Sequence, residues 1–135
     1  MRVLIVGAGV AGLVLAAKLK RQGREPVVID RIPEYKDTGY GISLWPLGSC
    51  VLHGLGVHDE FTARGLKSRR YELANHSGEV LRGMDLSVLA GSTGPIIMPS
   101  RTYLLDLLRK ACGNLRIRFG ASHRAPFLRS ALLDE

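Results

Sequence analysis

The residues in this chain best suited to chemistry are glycines. Gly7-Ala8-Gly9-Val10-Ala11-Gly12 has the spacing G-x-G-x-x-G, it follows the apolar run Val3 to Val6, and it opens a second apolar stretch. In that setting each glycine has a separate task. Gly7 permits a tight turn, Gly9 lets a pyrophosphate approach the backbone, and Gly12 lets a helix lie close to the strand. The unpaired N–H groups of the helix start, at Val10 and Ala11, add the positive end of the helix dipole. The next strand-like run, Val27-Val28-Ile29, ends in Asp30, a carboxylate placed to accept hydrogen bonds from an adenosine ribose. An acid at that place repels a 2′-phosphate, which argues against NADP. FAD and NAD remain, and these residues do not separate them.

Other reactive side chains form no such pattern. His53, His58, His76 and His123 have no ligand spacing with one another or with cysteine. They are expected to be surface or loop histidines, and no metal site is expected. Cys50 and Cys112 lie far apart in helix-like stretches and are expected to be small buried hydrophobes rather than a disulfide. Ser43, Ser49 and Ser100 lack the strand-turn-helix context of a nucleophile. No side chain is assigned as catalytic. Trp45 is left between lining a flavin or substrate and packing under the helix that follows it.

The elements needed to position the glycine motif are legible. Val3 to Val6 reads as a buried parallel strand. Val10 to Gln22 reads as a helix whose first turns, apolar nearly all round, should be buried. Lys18, Lys20 and Arg21 suit its C-terminal end, and Gly23 stops it. Pro26 to Asp30 completes a βαβ unit. A loop containing Asp37, Thr38 and Gly39 follows. Pro46 is placed to start a helix that runs to about Leu55, and His58 to Arg64 adds a helical turn or two. Arg69–Asn75 and Glu79–Met84 alternate around His76-Ser77-Gly78, which predicts a hairpin. Ser87 to Pro95 reads as loop and Ile96 to Pro99 as a short strand. Thr102 to Cys112 reads as an amphipathic helix, and Leu115 to Phe119 as a third strand of the parallel set.

Composition narrows the class. With 135 residues, 46% hydrophobic and 23% charged, the chain is expected to be one modest globular domain. The formal net charge is +7, but apart from Arg64, Lys67, Arg69 and Arg70 the basic residues are spread out. No nucleic-acid recognition motif accompanies them, so no nucleic-acid partner is expected. Arg2 followed by apolar Val3 to Ala17 resembles a secretory leader. The stretch is too short to span a bilayer, however, and Gly7, Gly9 and Gly12 break it. A cytoplasmic protein without a membrane partner is expected.

Beyond these local readings, Val3 to Arg31 resembles the N-terminal stretch of FAD-dependent monooxygenases of the aromatic-hydroxylase type. The shared pattern is the glycine motif, Ala16, Gly23 and the pair Asp30-Arg31. The resemblance continues through Gly39-Tyr40-Gly41-Ile42-Ser43-Leu44, then Pro46 and Leu55-Gly56-Val57. It reappears at Pro99-Ser100-Arg101-Thr102-Tyr103-Leu104. It implies FAD as cofactor, with Gly7, Gly9, Val10, Ala11, Gly12, Asp30, Arg31, Gly41 and Arg101 as the binding residues. Arg101 matches an arginine that contacts the cofactor in the family, a role that suits a planar guanidinium. The implied reaction is NAD(P)H-dependent reduction of FAD followed by oxygen insertion into a small aromatic or polyketide-like substrate. The protein would supply positioning and water exclusion.

The chain also departs from the family. Leu47 stands where the family often has asparagine, and the family's later glycine-aspartate motifs are absent. The expected fold is therefore α/β, a Rossmann-like βαβ dinucleotide-binding fold with a small β-hairpin insertion, incomplete relative to the family. Residues 1–120 would form the FAD-binding domain and residues 121–135 an irregular tail. Such a chain is expected to be the FAD-binding part of a truncated monooxygenase, inactive alone. Another FAD-dependent oxidoreductase, an NAD-binding dehydrogenase and an inactive nucleotide-binding remnant are the alternatives. The sequence selects no particular substrate or oligomeric state.

Overall fold

The computed structural model describes residues 3–35, 40–90 and 94–122. In chain order the elements are β1 (Leu4–Val6), α1 (Val10–Arg21), β2 (Val27–Ile29), α2 (Pro46–Gly54), α3 (His58–Arg64), β3 (Leu66–Ser68), β4 (Arg70–Ala74), β5 (Val80–Asp85), a 3-10 turn at Leu86–Leu89, β6 (Ile96–Met98), α4 (Arg101–Ala111) and β7 (Ile117–Arg118). They form two compact units, one made of Met1–Thr38 with Thr102–Glu135, the other of Gly39–Arg101. Asp37, Thr38 and Gly39, and the tail from residue 123 onward with His123, lie outside the described residues.

The first unit is built on a parallel sheet in the order β1-β2-β7. Leu4, Ile5 and Val6 pair with Val27, Val28 and Ile29, and the last two of these pair with Ile117 and Arg118. The expected βαβ unit and third parallel strand are both present. β2 is the central strand, so Val28 and Ile29 are fully buried, as a strand covered on both faces requires. The expectation of a buried β1 holds for Ile5 but not for Val6, which is 57% exposed, because β1 is an edge of the sheet. α1 also differs from its expected all-round burial. Leu13, Ala16 and Ala17 are buried, while Ala11 and Leu15 are exposed, so the helix is covered along one stripe only. α4 buries Leu104, Leu105, Leu107 and Leu108. The Cys112 thiol donates to the Leu13 carbonyl at 3.4 Å, and burial pushes its pKa up. Gly23 and Gly113 follow α1 and α4 at φ +71° and +63°, the left-handed geometry that ends helices.

In the second unit Pro46 opens α2 behind Trp45, where its missing N–H costs nothing. Ser49 and Leu52 share the buried face of α2. Cys50, the next residue round the helix, is exposed, which corrects its reading as a buried hydrophobe. Leu55, Val57, Phe61, Leu86, Ile96 and Ile97 complete the core. β6 pairs antiparallel with β3, a strand that the sequence pattern did not reveal. A side chain at Gly65 would lie 2.0 Å from Ile97 Cγ2, so glycine is what lets β3 begin there. The hairpin of β4 and β5 has the expected place and pairing. The segment expected to be loop after it starts with the 3-10 turn, capped by Asp85, whose carboxylate accepts from Ser87 N at 2.8 Å. Hydrogen bonds from the Ser87 hydroxyl, first, and from its N–H hold the Asp85 pKa below its ordinary value.

Candidate cofactor-binding site

The glycine motif forms the turn between β1 and α1. Gly7 has φ +108°, a conformation that favours glycine, and its N–H donates to Ile29 O at 2.7 Å. Gly12 faces back onto this turn. A Cβ there would sit 1.9 Å from Gly7 O and 3.4 Å from Ile5 Cγ2, so no side chain is tolerated without moving the strand. Gly9 is the opposite case, since a Cβ would meet nothing within 4 Å. Two glycines three residues apart thus differ: Gly12 is required by the protein's own backbone, whereas Gly9 has open space beside it.

That open space adjoins the start of α1. Gly9 is the N-cap residue and contributes no side-chain cap, and the first turn holds no acid. The leading N–H groups of a helix have no intrahelical acceptor, so those of Val10 and Ala11 are left for another partner. An anion is the partner favoured there by the helix dipole.

Asp30 is held on both its backbone and its side chain. Its N–H donates to Arg118 O at 3.0 Å, and its carbonyl accepts from Ala121 N at 2.9 Å, which fixes it against the end of β7. Its carboxylate accepts from Ala8 N at 2.7 Å through Oδ2 and from Ile32 N at 3.1 Å through Oδ1. The acid therefore ties the glycine turn to β2, a task the sequence reading did not assign. A carboxylate has about four lone-pair sites, so two backbone bonds leave capacity for ribose hydroxyls.

Ala8 and Tyr35 also escaped the sequence reading. The Tyr35 hydroxyl donates to Ala8 O. No periodicity or motif links a loop tyrosine to a residue so far back in the chain. Arg31, the partner of Asp30 in the sequence pattern, is exposed.

The remaining expected site residues belong to the second unit. Gly41 bridges to Ser100, and Ile42 N donates to Pro99 O at 3.1 Å. A Cβ on Gly41 would lie 3.0 Å from Met98 Cγ, so packing against Met98 already explains this glycine. Arg101 opens α4, half-buried, with its N–H donating to Tyr40 O at 3.1 Å and its guanidinium 5.8 Å from the Tyr40 ring centroid. Trp45 is 51% exposed and Leu47 84%, so Trp45 is not packed under α2. His53 and His58 face each other with ring centroids 5.8 Å apart. Among the described residues no three His, Cys, Asp or Glu side chains gather as metal ligands, and no helix is long and apolar enough to cross a membrane.

Residues 1–127 match the family described as FAD binding domain. Over 122 residues the chain is 34% identical to the FAD-dependent urate hydroxylase of Mycolicibacterium vanbaalenii, covering 89% of this chain and 31% of that protein. Over 72 residues it is 46% identical to the 3-amino-4-hydroxybenzoate 2-monooxygenase of Streptomyces cremeus, covering 53% of this chain and 18% of that protein. Among solved structures, Klebsiella pneumoniae HpxO complexed with FAD and uric acid superposes with TM-score 0.73 at 28% identity, over 93% of this chain and 33% of that one. The p-nitrophenol 4-monooxygenase PnpA of Pseudomonas putida shares the fold, with TM-score 0.76 at 22% identity, over 87% of this chain and 31% of that one. The chain spans about a third or less of the length of these relatives. It belongs to the FAD-binding domain family of flavoprotein monooxygenases and corresponds to the FAD-binding part of those enzymes.

Proposed function

We propose that the glycine turn and Asp30 hold the ADP half of FAD. The pyrophosphate lies over the N–H groups of Val10 and Ala11, and the adenosine ribose donates hydrogen bonds to the Asp30 carboxylate. What carries this reading is the contrast between Gly9, beside open space, and Gly12, filled by Gly7 O. Arg31, Gly41 and Arg101 are further FAD contacts, carried over from the family at matching positions. For Arg101 the support is its place at the start of α4, half-buried as a residue, with a guanidinium beside the Tyr40 ring, a planar donor suited to cofactor oxygens. FAD would supply the electron acceptor for NAD(P)H and the site of oxygen activation. The protein residues bind and orient it, and no side chain of this chain is assigned a proton-transfer step. The whole enzyme would hydroxylate a small aromatic or polyketide-like molecule in the cytoplasm. The urate hydroxylase and aminohydroxybenzoate monooxygenase among its relatives support that class.

The test is titration of the 135-residue chain with FAD, read by flavin fluorescence. Wild-type protein should bind. Asp30→Ala should weaken binding by about 1.5–3 kcal/mol, the range for a lost hydrogen bond to a charged group. Absence of binding, or equal affinity in the variant, would overturn the assignment.

A further inference from the structure

The turn that would carry the pyrophosphate contains two peptide groups whose orientations are set by side chains. In the Gly7–Ala8 peptide the N–H points to the Asp30 carboxylate. A trans peptide is planar, with C=O opposed to N–H, so Gly7 O is driven the other way, where it fills the space a Gly12 side chain would need. The Ala8–Gly9 peptide follows it. Its C=O accepts from the Tyr35 hydroxyl, so its N–H, that of Gly9, points away from Tyr35.

Tyr35 is itself braced. Its ring meets Phe119 edge-on, with centroids 5.1 Å apart and planes at 80°, a favourable aromatic geometry. The Arg109 guanidinium lies 5.4 Å from the ring centroid, within cation–π range. Ala8 is fully buried, and a buried carbonyl left unmatched is costly. The hydroxyl therefore satisfies the Ala8 carbonyl and opposes rotation of this peptide. In the flipped turn the Ala8 oxygen would replace the Gly9 N–H on the side where an anion would sit, and a carbonyl oxygen there repels phosphate.

We infer that Tyr35 is a positioning residue for the phosphate turn, fixing the Ala8–Gly9 peptide so that the Gly9 N–H faces the pyrophosphate. This rests on the proposal that FAD binds at the turn. Tyr35 acts through Ala8.

The experiment compares wild type, Tyr35→Phe and Tyr35→Leu by isothermal titration with FAD, ADP and adenosine, alongside thermal unfolding without ligand. Phenylalanine keeps the ring contacts and removes only the hydroxyl. Tyr35→Phe should bind FAD and ADP about fivefold more weakly, the effect of one ordinary hydrogen bond. It should bind adenosine unchanged and unfold a few degrees below the wild-type temperature, the effect of one hydrogen bond. Tyr35→Leu should lose both affinity and thermal stability. As a readout independent of affinity, the Gly9 amide nitrogen resonance of ligand-free Tyr35→Phe should move away from its wild-type position. If wild type binds FAD and ADP, and Tyr35→Phe binds both equally well with an unmoved Gly9 resonance, the inference fails while the FAD assignment stands. If wild type binds neither FAD nor ADP, the FAD assignment fails and takes the inference with it. An equal loss for adenosine would also overturn it, because the effect would not lie at the phosphates.

Discussion

The glycine turn and the β4–β5 hairpin are both short, local pieces of chain, yet they are held in opposite ways. At the turn, Ala8 is fully buried, and side chains from Asp30 and Tyr35 take up its N–H and carbonyl. In the hairpin every residue of β4 and β5 is exposed, Tyr71, Leu73, Val80, Leu81 and Met84 among them. The hairpin is held by its strand ladder and by local polar contacts, such as Asn75 Oδ1 accepting from Ser77 N and Glu79 N at 3.1 and 2.9 Å. An isolated two-stranded ribbon is marginal in water. Order at the turn thus comes from distant parts of the chain, and order in the hairpin from its neighbours in sequence. Substitutions should accordingly be costly wherever long-range packing sets the structure and nearly silent where it does not.

The largest effect should come from a core residue near the hairpin in sequence. Phe61 is fully buried, and Phe61→Ala should destabilise by about 3–5 kcal/mol, measured by urea unfolding. A loss below about 1 kcal/mol would show that the second unit has no more packing than its hairpin. Next comes the pair of glycines. Gly12→Val places atoms on Gly7 O and should cost about 3 kcal/mol, the upper end for overpacking. Gly9→Val enters open space at φ −76° and should cost under about 1 kcal/mol as a poor N-cap, yet abolish FAD binding. Denaturation and flavin titration of both variants test the split, and equal stability losses would sink it. The smallest effect belongs to the hairpin. Leu81 is 61% exposed, and Leu81→Ser should change stability by no more than about 0.5 kcal/mol. A larger loss in the same unfolding assay would mean that the strand is packed, and the contrast with the turn would collapse.

The motif and the elements that carry it were legible because each has a local signature. Gly7, Gly9 and Gly12 lie between an apolar run and a helix pattern, Gly23 and Gly113 punctuate helices, and Pro46 opens one. The parallel pairing follows from strand, helix and strand in sequence. β3 stayed hidden because Leu66–Ser68 has no alternation, and its strand geometry comes from pairing with β6. Cys50 is misread because residue type and a helix-like stretch suggest burial, whereas its position round α2 decides its exposure. At the site the glycines and Asp30 could be picked out, but the second duty of Asp30 could not. The bonds from Ala8 N to Asp30 and from Tyr35 to Ala8 O are tertiary, and residue type alone encodes neither.

The attachment of Asp30 to the end of β7 has a consequence in time. The glycine motif, α1 and Asp30 all lie in the first thirty residues, yet the backbone partners of Asp30 are Arg118 and Ala121, and the ring beneath Tyr35 belongs to Phe119. A growing chain makes the whole motif early, but the Asp30 backbone gains its partners only when residue 121 has left the ribosome. At synthesis rates of roughly 5–20 residues per second, the intervening segment of about ninety residues takes on the order of ten seconds. During that interval β2 has no neighbour on its β7 side, and the nascent chain must keep that open edge from pairing wrongly before β7 arrives.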